Sequence, residues 1–212
     1  MKFLLAFGVL GLMGILAIGI AGLWPRANFL DPDPVAQGWR VTNAVAAVVL
    51  GVRLWDTLLE VLVYVVAMVG VRFLLGGLHW RGELPPVAET PLLRRSADLL
   101  LGPILVFALY MAASGHLGPG GGFPAGAILG SALLLLALAK GMERVSAELY
   151  EPRLDSLEYL AVVLLFGLAI AILVRGVRTP AAFVTANLLI ALEVAIGAWA
   201  VLHRFSSARG EV

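Results

Sequence analysis

Six runs of apolar residues, each about as long as a bilayer is thick, leave this chain few folds to choose from. A helix crossing ~30 Å of hydrocarbon needs about 20 mostly apolar residues. Residues 3–24, 57–76, 96–115, 123–140, 157–175 and 180–203 meet that requirement. Lipid offers the backbone no hydrogen-bond partner, so runs of this length read as helices that bond internally. Composition agrees: of 212 residues, 61% are hydrophobic and 14% charged, with a mean hydropathy of +0.97, far from the soluble range. The expected fold is all-α, a polytopic transmembrane helical bundle of about six spans. A further run, Val41–Val52, is too short to span unaided and reads as an interfacial or half-buried helix, a short seventh element.

The first run begins at Lys2 and has a long apolar core with no small-x-small cleavage site before Trp24. It therefore reads as a retained anchor and not as a signal peptide. The stretch Trp24–Arg40 carries three prolines, two aspartates and a tryptophan at each end, which suits an extramembrane loop with interfacial anchors. A second polar stretch, Leu78–Arg95, contains Pro85, Pro86 and Pro91 and marks the boundary between two modules, 1–80 and 91–204, followed by a tail, 205–212. Lys and Arg concentrate in segments 77–95 and 140–156 and in the tail after Arg204, all on one side; the positive-inside rule makes that side, and the C-terminus, cytoplasmic. The formal charge of +1 and the dispersal of the basic residues argue against a nucleic-acid partner. With no cysteine, disulfides and Cys-ligated metals or clusters are excluded. The three histidines, His79, His116 and His203, stand near the ends of different runs, so neither a metal site nor a cofactor is expected.

An ionisable side chain at bilayer depth costs at least about 2.5–3.5 kcal/mol on insertion scales and so needs a partner, a watery cavity or a function. Glu193, in NLLIALEVAIGAWA, lies near the middle of the last run, where no helix cap explains it. It is either a group that exchanges a proton or answers a passing cation, or a structural carboxyl bonded to a neighbouring helix. For Glu60 and Glu158 a local explanation exists. Thr57 through Glu60, and Asp155 through Glu158, have the spacing of a capping box, in which both side chains satisfy open N–H groups of a first helical turn. SGHLGPGGGFPAG, residues 114–126, cannot continue a helix: Gly115, Gly118, Pro119, Gly120, Gly121, Gly122 and Pro124 break it, either dipping into the bundle or as a tight turn. His116 beside it is a proton relay or an interfacial imidazole. Lys140 ends the fourth run and reads as a snorkelling amine in a collar with Glu143 and Arg144. Gly8, Gly11 and Gly14 give the first run a close-packing face.

GHLGPGGGFPAGAILGSALLLLALA, residues 115–139, resembles the signature of the MnhB family, one of the membrane subunits of the Mrp-type multisubunit Na+/H+ antiporters. EYLAVVLLFGLAI (158–170) and TANLLIALEVAIGA (185–198) are similar to that family's last two spans, with Asn187 and Glu193 standing at its Asn and carboxylate. Residues 42–75 resemble the C-terminal end of the neighbouring A-type component of the same antiporters, and the equivalent small component of membrane-bound energy-converting hydrogenases. Asp56 and Glu60 match that family's aspartate–glutamate motif, and Leu59 stands where its glycine usually precedes the glutamate. Arg53, Leu54 and Trp55 replace the basic-glycine-aromatic pattern of the antiporters and lean toward the hydrogenase-like complexes. The resemblance implies a multi-pass subunit of a prokaryotic cell membrane, working beside other membrane subunits of an antiporter-like or hydrogenase-like complex, with Na+ and H+ as cargo and no catalytic centre of its own. It raises Asp56, Glu60, His116, Lys140, Glu158, Asn187 and Glu193 as elements of an ion route. Two other readings stand beside it: a scaffold protein whose carboxyls only seal helix contacts, and a self-contained small transporter, disfavoured because no internal repeat pairs two broken helices.

Overall fold

The computed structural model describes residues 32–75, 90–149 and 151–207. The first apolar run, residues 78–89 of the 78–95 boundary with His79, and the last five residues lie outside them. The described residues form eight α-helices: α1 (Pro32–Trp39), α2 (Ala44–Ala47), α3 (Leu54–Leu75), α4 (Pro91–Ser114), α5 (Gly122–Lys140), α6 (Met142–Glu148), α7 (Glu151–Arg175) and α8 (Pro180–Ser207). No strand occurs among them.

Five of these helices, α3, α4, α5, α7 and α8, are long and apolar enough to cross a membrane. They correspond to the five described runs. The short seventh element is present as α2 continuing into a π-helical turn, Val48–Val52. Together with α1 it forms a pair bent by 68°, which makes up to six spans among the described residues if the pair counts as one. The expected loop at 24–40 is thus helical from Pro32 onward. Proline is at home in a first helical turn, where its missing N–H is not needed.

Asn43 starts α2 by accepting hydrogen bonds at Oδ1 from Val45 N (3.0 Å) and Ala46 N (3.4 Å), as an N-cap does. The π turn displaces the ladder, and the Thr57 hydroxyl donates to the Val49 carbonyl at 2.8 Å. That bond corrects the first capping-box reading: α3 begins at Leu54, so Thr57 and Glu60 already stand inside it. The second box is absent for the same reason, because α7 begins at Glu151 and Asp155 is a full turn beyond its start.

The central helix is α8: 61% of its most apolar stretch is buried, against 17% for α3 and for α4. It contacts α3, α4, α5 and α7. Glycines set its distance from α5. A Cβ built on Gly122 would lie 2.5 Å from the Cβ of Ile190, one on Gly126 2.5 Å from that of Val194, and one on Gly130 2.7 Å from that of Ala198. Three glycines four residues apart therefore receive three residues four apart, and the two helices run parallel with their backbones in close approach. On its other side α8 meets α3 and α7 through a buried apolar cluster that includes Leu54, Leu58, Val61, Leu165, Phe183 and Ile190.

Candidate functional site

Four polar side chains are buried among the described residues: Thr57, Glu158, Asn187 and Glu193. Glu193 is 1% exposed, and neither carboxylate oxygen has a hydrogen-bond partner. Glu158, on α7, is fully buried; its Oε2 accepts from Arg72 Nη2 while Oε1 has no partner. Arg72, on α3, also lies 3.4 Å from the half-exposed Asp155. Glu193 is within electrostatic reach of Glu158 and Arg72, and Tyr64 of both carboxyls. The Tyr64 hydroxyl donates to the Val194 carbonyl at 2.9 Å, one residue from Glu193. Gly197 makes room for it, since a Cβ there would sit 2.5 Å from the Tyr64 ring.

Helical spacing makes this arrangement. On α3 the inward stripe is Thr57, Val61, Tyr64, Met68 and Arg72, each three or four residues from the last. On α8 the facing stripe is Asn187, Ile190 and Val194, with Glu193 beside it. Because Thr57 and Asn187 line one cavity and Tyr64 meets Val194, the two helices run parallel. Polar groups therefore follow one another along a single seam: Thr57 and Asn187, then Tyr64 and Glu193, then Glu158 and Arg72. At its far end a small cavity, about 10 Å³, is lined by Arg72, Asp155, Trp199 and Arg204.

The glycine break closes the other end. Gly121 has φ +133°, a backbone conformation that side chains disfavour. A Cβ on Gly115 would lie 2.8 Å from both Asn187 Nδ2 and Gly121 N, and one on Gly120 2.6 Å from the Met111 carbonyl. Asn43 holds the break in place: its Nδ2 donates to the carbonyls of Gly115 (2.8 Å) and Gly118 (2.7 Å), and the His116 carbonyl accepts from Thr42 N and Asn43 N. Asn187 Oδ1 accepts from Gly122 N at 3.1 Å, and its Nδ2 is a buried donor without a partner. The ring Nδ1 of His116 lies 2.9 Å from the Ala113 carbonyl. Leu117 and Pro119, at the tip, are exposed.

The structure thus brings Asn187, Glu158 and Glu193 into one seam but leaves other sequence candidates apart from it. Asp56 pairs with Arg53 on the outer face of α3, and Glu60 lies exposed beside Leu59 and Val63. Lys140 bridges to the exposed Asp98 on α4 at 2.7 Å, and Arg144 pairs within α6 to Glu148 at 3.7 Å. Sequence reasoning read Thr57 only as a helix cap, and missed Asn43, Tyr64 and, above all, Arg72. An arginine in the last turn of an apolar run is a weaker signal than the mid-span Glu193, because a cation there can snorkel. No three His, Cys, Asp or Glu side chains converge as a metal site among the described residues.

Comparison with known proteins agrees with this architecture. Residues 92–205 match the family described as the domain related to the MnhB subunit of Na+/H+ antiporter. A chain in the structure of the membrane-bound sulfane sulfur reductase, an archaeal respiratory membrane complex, is 25% identical, with a TM-score of 0.67 over 94% of this chain and 98% of that one. A chain in the Mrp complex from Dietzia sp. DQ12-45-1b is similar in fold, with a TM-score of 0.69 at 20% identity over 99% of this chain and 26% of that one. No curated protein matches the sequence. Matched over more than half its length and built as a multi-pass bundle around a glycine break, this chain belongs to the MnhB-related family of antiporter membrane subunits.

Proposed function

We propose that this chain contributes an ion route to an Mrp-type antiporter or a related respiratory complex, and that Glu193 is the exchanging group of that route. The observation that carries this reading is a carboxyl in the middle of the central span, shut away from water, with both oxygens unpartnered. A carboxylate left so is costly, and Arg72, already bound to Glu158, only partly answers its charge. A group in that position is suited to take a proton or a cation from one side and release it to the other. Glu158 is the next station, since one of its oxygens is also open, and Arg72 with Asp155 stands at the mouth beyond.

Other membrane subunits are the partners in this reading, and the chain has no catalytic centre of its own. Asp56 and Glu60 point away from the seam, so whatever part they take in ion traffic is shared with a neighbouring protein of the complex. Residues 1–80 form a module like the C-terminal end of the antiporters' A-type component, the basic segments lie on the cytoplasmic side, and the C-terminus lies with them.

A scaffold role has one observation in its favour, the pair between the half-buried Arg72 and the buried Glu158, which ties α3 to α7. A single substitution separates the two readings. Glu193→Gln keeps shape and hydrogen bonding but cannot titrate or carry charge. In the purified complex reconstituted into liposomes, an ion route predicts intact assembly on native gels with a steep fall in ion-dependent proton flux. Full flux in an intact Gln complex would sink the route reading for this residue.

A further inference from the structure

We propose that the cavity at the glycine break holds water and is the entrance of the Glu193 route, closed from it by one apolar layer made by Val61 and Ile190. The inference rests on the ion-route reading for what the entrance serves, and on the cavity itself for the water.

The cavity has a volume of about 120 Å³ and is lined by Asn43, Leu50, Thr57, Gly115, Phe123 and Asn187, among others. About 10–15 Å³ of such volume suffices for one water, so the cavity has room for water. A buried water needs two to four polar partners, and the lining supplies them. Asn187 is 3% exposed, and its Nδ2 donates to nothing. The Thr57 hydroxyl has its hydrogen on Val49 O, so its lone pairs remain as acceptors. The Gly115 carbonyl accepts from Asn43 and has a second lone pair. Among the described residues, no carboxylate lines the cavity. A neutral lining with an open N–H suits water and not a bare cation, which would need oxygens and negative charge.

From the cavity to Glu193 the distance is short. Thr57 to Tyr64 on α3 and Asn187 to Val194 on α8 are seven residues each, about 10 Å along the helix at ~1.5 Å per residue. About two turns of each helix fill that interval, and the inward side chains between are Val61 and Ile190, both 1% exposed and members of one apolar cluster. The seam cannot open toward α5, because Gly122 and Gly126 bring that backbone against Ile190 and Val194. Ile190 is also part of the cavity lining, so its side chain is the floor of the wet space and the roof of the dry one.

Radiolytic hydroxyl-radical footprinting of the purified native complex tests the water directly, because the radicals arise where bound water sits. Leu50 and Leu58 are the same side chain, 4% and 1% exposed, but only Leu50 lines the cavity. Leu50 is expected to oxidise on the order of tenfold faster than Leu58 and Leu165, the ratio that a wetting cost of about 1.4 kcal/mol gives. Asn187→Leu should remove most of that excess. Equal oxidation of the three leucines would overturn the vestibule. The apolar layer is tested by flux: Ile190→Ala keeps the Cβ that Gly122 meets, and Val61→Ala is a second variant should that one assemble poorly. Either is expected to raise the passive proton leak of reconstituted complex severalfold, and Glu193→Gln in the same background to abolish the rise. An unchanged leak in both single variants would overturn the layer. Should Glu193→Gln alone leave transport intact, the route reading falls while the footprint of Leu50 is untouched, so the two failures are told apart.

Discussion

An arginine within a membrane helix has to be answered, and Arg72 is answered twice, by the buried Glu158 and by Asp155 at the surface. Removing one partner of a buried ion pair costs about 3–5 kcal/mol, because the other charge is stranded. Arg72→Leu should therefore lower the amount of assembled complex, read on native gels after mild detergent extraction. Arg72→Leu with Glu158→Leu should recover much of it, since two apolar side chains of matching size leave nothing stranded. A single variant that assembles as well as wild type would show that the pair does not hold α3 to α7. Glu193 was legible in the sequence for a simple physical reason: mid-span, no cap accounts for a carboxyl. Glu158 was less so, because its spacing from Asp155 imitates a capping box, and only the position of the helix start, four residues before Asp155, reveals its burial. Arg72 sits three residues from the end of α3, where a snorkelling cation looks ordinary; what is unusual is the neighbour, and neighbours across 86 residues of chain leave no mark on local spacing.

Among the elements, α5 and α8 are tied more closely than any hydrophobic contact alone requires. A methyl group at Gly126 has nowhere to go, with Val194 Cβ at 2.5 Å and the Ala191 carbonyl at 2.7 Å, both fixed by a helix. Gly126→Ala should separate the pair at a cost of about 1–3 kcal/mol, typical of overpacking. Gly167→Ala, on α7 where nothing lies within 4 Å, should be silent or slightly favourable. Thermal denaturation of the two complexes, followed by loss of monodisperse material, makes the comparison; equal midpoints would show that α5 and α8 have slack. The long helices were legible because a span's length is set by the bilayer. The break was legible because no other residues behave as glycine and proline do, but it is shorter than 114–126: it spans 115–121, and Gly122 and Pro124 already stand in the first turn of α5, where proline's missing N–H is not needed. The π turn at Val48–Val52 was not, since it depends on the Thr57 hydroxyl reaching back eight residues to a carbonyl that an α-helix would have used itself.

Among the described residues, the polar contacts between positions before 76 and those after 90 include Asn43 to Gly115 and Gly118, the His116 carbonyl to Thr42 and Asn43, Tyr64 to Val194, Arg72 to Glu158 and Asp155, and Arg178 over the Trp39 ring. The family match begins only at residue 92, so one wall of the seam stands outside it. The same fold fills nearly all of one similar chain and about a quarter of another. A similar fold is thus found in chains of different length. Two polypeptides, 1–80 and 90–212, expressed together should accordingly find each other and support ion-dependent flux, whereas either alone should not; failure of the pair to co-purify would show that the covalent link is needed for folding. What the link supplies in the natural chain is arithmetic. Two separate proteins meet at a ratio set by their synthesis and by effective concentration, but a single gene product delivers one Arg72 for every Glu158, so no half-built seam, with its stranded charge, has to be cleared from the membrane.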